Sequence, residues 1–294
     1  MNVDVLLPLA LAFIMFSVGL SLRGADFRSV FARPAGLAVG LAGQLLLVPL
    51  AALAVAVAAG LPGPLAAGLL ILGACPGGAS SGFLTHLARG NAALSISLTV
   101  ISSLAALFTF PLLAHWALGA FADSPLAAAV GEVGRLPVGR LIGSVLVVTT
   151  LPVLLGMAAR RFAPGASARI ERPVGRIATA FFAAIVIGTF AAHRNPILDN
   201  LAAVGPATLM LNFAVMAGGW WLARLAGCGR PDRVAVAMEC GLQNAGLAIF
   251  VALGLLHRPE LAVAAVVYAL VMNFGALGLL FVARRPPVAV AVSG

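Results

Sequence analysis

Met238-Glu239-Cys240-Gly241-Leu242-Gln243-Asn244-Ala245-Gly246 is a polar knot inside an otherwise apolar stretch running from about Val234 to Leu255. It carries the only carboxylate in the interior of an apolar run of membrane-spanning length. An ionised side chain at mid-bilayer depth costs about 2.5–3.5 kcal/mol on insertion scales, so a carboxylate placed there points to function. Gly241 and Gly246 bracket Gln243 and Asn244, which predicts a helix that opens here and leaves backbone carbonyls and amides free. Free backbone at that depth persists only beside protein or a wet cavity. The other reading is one continuous helix whose Glu239 and Gln243, four apart, bond a neighbouring helix.

The surrounding composition supports the bilayer. Hydrophobic residues make up 62% of the 294-residue chain and charged residues 9%, where soluble domains carry about a quarter. Mean hydropathy is +1.10. The reading is an all-α polytopic membrane protein, a single transmembrane domain over 1–294, and the lack of strand alternation excludes a β-barrel. All 18 basic residues are arginines, and they sit in loops without interleaved aromatics, so the net charge of +9 does not indicate nucleic acid. Cys75, Cys228 and Cys240 have no C-x-x-C spacing and indicate neither a disulfide framework nor zinc. Asp4 stands where a signal peptide would be basic, so the first apolar run is expected to be retained.

Nine spans are expected, at about 4–22, 35–59, 63–88, 91–118, 137–159, 174–192, 200–223, 234–256 and 260–283. With the N-terminus outside, fourteen arginines fall in inside loops, and only Arg135, Arg140, Arg194 and Arg258 fall outside. That asymmetry predicts N-out, C-in topology in a cell (inner) membrane. The third span is interrupted by Cys75-Pro76-Gly77-Gly78-Ala79-Ser80-Ser81-Gly82, and the eighth at Gly241 to Gly246. Each break is in the penultimate span of its half (about 1–118 and about 137–285), and the two spans run in opposite directions. That is the pattern of an inverted repeat with a midplane site.

A hard monovalent cation wants several oxygen ligands. Glu239 and Gln243 lie on one break, Ser80 and Ser81 on the other, Gln44 in span two, and Ser95 and Thr99 one turn apart in span four. Each hydroxyl can also bond its own helix, and Gln44 can join helices.

Cys75-Pro76-Gly77-Gly78, with Thr85-His86-Leu87-Ala88-Arg89-Gly90-Asn91-Ala92-Ala93-Leu94-Ser95, resembles the C-P-G-G-x-x-S-N…T-Y-L-x-x-G-N-x-A-L-S signature of the bile acid:sodium symporter family. Glu239 to Ala248 resembles its E-x-G-x-Q-N-S/A-G-L-A signature, and Ile14 to Leu20 with Asp26-Phe27 also fit. The resemblance implies crossing broken helices, a core and a panel domain, and alternating access. It implies one sodium site at Ser81, Ser95, Thr99 and Glu239, and a second at Gln44, Glu239, Gln243 and the carbonyls of Cys240 and Leu242. The substrate would meet Ala79, Ser80, Gly82, Asn244 and Asn273. The chain resembles the nine-helix members. It departs from the signature at Gly82, where asparagine is usual, and at Ala79, where threonine is common, which puts sodium coupling at the first site in question.

The function expected is sodium-coupled symport of a small organic anion, bile-acid-like or a keto or hydroxy acid, with one or two sodium ions and no enzymatic activity. Paired positive half-helix ends favour an anion. Cys75 and Cys240 beside the breaks would also suit an arsenite-type efflux carrier. An intramembrane hydrolase would need a serine paired with lysine or histidine, and His86 is poorly offset from Ser80 and Ser81. A proton relay would have His86 as its only candidate.

Overall fold

The structure, a computed structural model, describes residues 3–21, 34–120 and 138–284. Asp26, Phe27, Arg23, Arg28, Arg33, Arg135 and Arg285, used in the sequence reading, lie outside the described residues. The described chain is helical: α1 (Val3–Ser21), α2 (Pro34–Ala58), α3 (Gly63–Ala74), α4 (Ser81–Leu87), α5 (Ala92–Ala120), α6 (138–162), α7 (Pro164–Ala192), α8 (Arg194–Leu225), α9 (Arg230–Gly241), α10 (Ala245–Leu255) and α11 (Pro259–Arg284). Six of these contain stretches long and apolar enough to cross a membrane, in α2, α5, α6, α7, α8 and α11. The expected third and eighth spans are each two helices, α3 with α4 and α9 with α10, parted at the two predicted breaks.

Local chemistry explains each break. α3 stops at Cys75, which is extended (φ −67, ψ 152), because Pro76 has no amide to continue the helix. α9 stops at Leu242, also extended (φ −104, ψ 92). Asn244 then starts α10 by accepting the Leu247 amide on its side chain. The continuous-helix reading of Glu239 and Gln243 is therefore not the one adopted. Two expected boundaries move: α7 begins at Pro164, not at 174, and α8 at Arg194, not at 200. Arg169, Arg172 and Arg176 are good helix formers that water tolerates, so falling hydropathy marked the end of the apolar span and not the end of the helix.

Lipid is as apolar as leucine, so helices here associate through close packing at small residues. α1 packs on α6 and α7: a Cβ at Gly19 would overlap the Val153 carbonyl, and one at Gly156 the Phe16 carbonyl. Phe13 and Phe181 meet edge-to-face, with centroids 5.3 Å apart. A second group gathers around the breaks, with Gly40 of α2 against Leu98 of α5, Gly68 of α3 against the Leu261 carbonyl of α11, and Gly219 of α8 against α9.

One end of this second group is tied by polar contacts. Arg284 Nε donates to the Leu87 carbonyl (2.9 Å), Arg230 to the carbonyls of Val282 and Ala283, and Asn91 Nδ2 to Asp232 Oδ1 (2.7 Å). α4 therefore ends where α9 begins, and the two broken spans run antiparallel.

Candidate functional site

The backbones of the two breaks meet each other. Gly77 and Gln243 form an isolated antiparallel bridge, the Asn244 amide donates to the Pro76 carbonyl (3.0 Å), and the Gly78 amide donates to the Leu242 carbonyl. Groups freed by one broken helix are thus satisfied by the other, as backbone far from water requires.

Glu239, on the last turn of α9, is fully buried (0% exposed). Its carboxylate accepts three hydroxyl hydrogen bonds: Ser81 Oγ (2.7 Å) and Ser95 Oγ (3.0 Å) on Oε2, and Thr99 Oγ1 (2.7 Å) on Oε1. Ser81 comes from the start of α4, and Ser95 and Thr99 from one face of α5. Gly77 supplies the remaining wall, since a Cβ there would overlap Glu239 Oε1. The backbone comes this close only because residue 77 has no side chain.

A second cluster joins the two breaks to α2. Gln44 sits on a π-helical turn of α2, Gly43–Leu47, a distortion that recurs at functional sites. Its Nε2 donates to the Cys75 carbonyl (2.9 Å) and to Gln243 Oε1 (2.9 Å), while Gln243 Nε2 donates to the Cys240 carbonyl (2.7 Å) and to Gln44 Oε1 (3.3 Å). Glu239 makes all its hydrogen bonds to the hydroxyl set and none to these amides.

The donor chemistry fits sodium. Every hydrogen-bond partner of Glu239 is a hydroxyl, and each hydroxyl keeps lone pairs that it can present once its proton turns away. Gln44 Oε1, Gln243 Oε1 and the carbonyls of Cys240 and Leu242 extend the oxygen set. Among the described residues, no group of three or more His, Cys, Asp or Glu could hold a metal of another kind.

The other expected residues are placed as follows. Ala79 and Ser80 are exposed at the first break. Gly82 is buried, and Ile96 Cγ1 lies 2.5 Å from where its Cβ would be, so isoleucine fills the space a side chain at 82 would take. Asn244 is buried, with Nδ2 3.7 Å from the Met15 sulfur of α1. Asn273 is not brought to this cluster: it is exposed and bonds the Ala269 carbonyl of its own helix. His86 is also exposed and outside the Glu239 cluster.

Two residues escaped the sequence reading. Asn212 Nδ2 (2.8 Å) and Tyr268 Oη (2.9 Å) both donate to the carbonyl of Gly241, two residues from Glu239. The available signals were an amide in an apolar run of α8 and the chain's only tyrosine.

A multi-pass helical membrane protein with a carboxylate and hydroxyls enclosed where two broken helices cross has the architecture of an ion-coupled carrier. The chain belongs to the sodium bile acid symporter family, whose profile matches residues 8–200. It is 30% identical to a probable chloroplastic sodium/metabolite cotransporter of Oryza sativa subsp. japonica, over 92% of this chain and 62% of that one. It is 30% identical to an uncharacterized sodium-dependent transporter of Bacillus subtilis over 81% of this chain and 70% of that one. It is 32% identical to the ileal sodium/bile acid cotransporter of Oryctolagus cuniculus over 82% and 67%. The chain thus spans less than two thirds of the rice relative. The family and these relatives are transporters and not enzymes.

Proposed function

We propose that this chain is a sodium-coupled secondary transporter that carries a small organic anion across a cell membrane by alternating access. The observation that carries the reading is Glu239, buried where the two breaks cross and held by three hydroxyls from α4 and α5. A carboxylate in that setting is suited to exchanging the hydroxyls' hydrogen bonds for a cation while the hydroxyl protons turn away. In this reading the chain crosses nine times as an inverted repeat, α1, α6 and α7 form the panel, and the helices around the breaks form the core. The arginine-rich end, where Arg230 and Arg284 cap carbonyls, faces the cytoplasm.

The substrate's anionic group meets the exposed break at Ala79 and Ser80 and the α10 N-terminus at Asn244, where the helix dipole favours negative charge. Gly82 and Ile96 make that wall apolar, which suits a substrate with a hydrocarbon body, whether bile-acid-like or a smaller keto or hydroxy acid. The first sodium would be held by Ser81, Ser95, Thr99 and Glu239, and the second by Gln44, Gln243 and the carbonyls of Cys240 and Leu242. No observation favours arsenite-type efflux: the Cys75 thiol bonds the Ile71 carbonyl, and the Cys240 thiol packs against Gly43 and Gly219.

A thermal-shift screen of organic anions on the purified protein, in sodium and in potassium buffer, tests this. An anion that stabilises only with sodium is the expected result. Stabilisation indifferent to the cation would overturn the coupling.

A further inference from the structure

Each carbonyl of the second break has a traceable partner, and one of them is unusual. In an unbroken helix the Gly241 carbonyl would accept the Ala245 amide. Here the Ala245 amide bonds the Gln243 carbonyl, and Gly241 is left without a backbone donor although it is buried. Two side chains from two other helices take that carbonyl together, Asn212 Nδ2 from α8 at 2.8 Å and Tyr268 Oη from α11 at 2.9 Å. The donors also touch each other, with Asn212 Nδ2 3.3 Å from Tyr268 Oη, and both residues are 0% exposed.

The arrangement is costly in its own terms. Asn212 Oδ1 is buried with no hydrogen-bond partner. Stranding an acceptor in this way is unfavourable, and leucine would fill the same volume without it. Gly275 is shaped to admit the amide, since a Cβ there would overlap Asn212 Oδ1. The clamp's target is itself a glycine, freer than any other residue to rotate its peptide. Gly241 has no side chain to anchor it, because Met216 occupies the place a Cβ would take.

We infer that Asn212 and Tyr268 are positioning residues for the ion site, holding the Gly241 peptide so that the flanking carbonyls of Cys240 and Leu242 are presented to the crossing. The peptide unit is planar, so fixing the Gly241 C=O fixes the 241–242 peptide and limits both neighbours. Those neighbours are the carbonyls that meet the Gln243 amide and the Gly78 amide. The inference rests on the reading of the crossing as a sodium site.

The test is a sodium titration of thermal stability, with potassium replacing sodium at constant ionic strength, on the purified full chain. Wild type, Tyr268→Phe, Asn212→Leu and Thr208→Val are compared. Thr208 is a control: it is buried on α8 like Asn212, but bonds only carbonyls of its own helix, Val204 and Gly205. The expected result is a half-saturating sodium concentration raised about tenfold in Tyr268→Phe and in Asn212→Leu, the low end of the loss when an outer-shell partner of a metal ligand is removed. The double variant should show less than the product of the two, because both donors serve one carbonyl. Thr208→Val should leave the half-saturation point where it was. A purely structural role would lower the melting temperature in potassium and leave half-saturation unchanged, and that result in the minimal Tyr268→Phe variant overturns the inference alone. A wild type with no sodium shift overturns the sodium site and the inference with it.

Discussion

Gln44 and Gln243, 199 residues apart, bond each other in both directions, Nε2 of each reaching Oε1 of the other at 2.9 and 3.3 Å. The pair joins the π turn of α2 to the break between α9 and α10, and its amide nitrogens also donate to the carbonyls of Cys75 and Cys240. Gln44→Ala and Gln243→Ala should each raise the half-saturating sodium concentration for uptake by about tenfold. Proteoliposome uptake at graded sodium decides this, and unchanged sodium dependence in both variants would reduce the pair to a bridge between helices.

Glu239→Gln should abolish sodium-dependent uptake while the protein remains inserted and folded. The amide is nearly isosteric, and the hydroxyls of Ser81, Ser95 and Thr99 can rotate to donate to its oxygen or accept from its nitrogen. What is lost is the negative charge that a buried cation requires. Sodium should therefore no longer raise the melting temperature of the variant, and uptake at the wild-type rate would refute the assignment.

Gly77→Ala should destabilise the protein by about 1–3 kcal/mol, because its Cβ would push Glu239 away from the hydroxyls. Gly188→Ala on α7, where a Cβ would meet nothing within 4 Å, should instead stabilise the helix slightly, by up to about 1 kcal/mol. Melting curves of the two, with and without sodium, compare a glycine required by close approach with one that is not.

The isoleucine against Gly82 governs sodium stoichiometry in our reading. Gly82→Asn alone collides with Ile96 and should lower stability, whereas Gly82→Asn with Ile96→Ala has room for the amide. If the missing amide weakens the first sodium site, wild-type uptake should follow sodium with a Hill coefficient of about one, and the double variant should approach about two. One sodium with a monovalent anion is electroneutral, and two sodium ions move charge worth about 2.3 kcal/mol per 100 mV. Voltage-driven uptake by the wild type would show that Ser81, Ser95, Thr99 and Glu239 complete the first site without the amide.

The sequence by itself determined the membrane class, the two breaks and the carboxylate at their centre, because those features are local. Apolar runs measure bilayer thickness, Pro76 cannot donate, and Glu239 in an apolar run has to be compensated wherever the chain goes. Ser81, Ser95 and Thr99 were legible as candidates through motif and helical spacing. Only the tertiary structure decided what compensates what. Glu239 meets its donors across 158, 144 and 140 residues of chain, and the Gly241 carbonyl finds Asn212 and Tyr268 on helices that no periodicity links to it. A lone amide and a lone tyrosine in apolar runs look like packing until a broken helix leaves a carbonyl between them. Likewise only the structure shows that Ile96 occupies the space a side chain at Gly82 would take, and that the exposed Asn273 bonds the Ala269 carbonyl of its own helix. Local composition sets the cost of burying each polar group, but which partner relieves it depends on how helices distant in sequence cross in space.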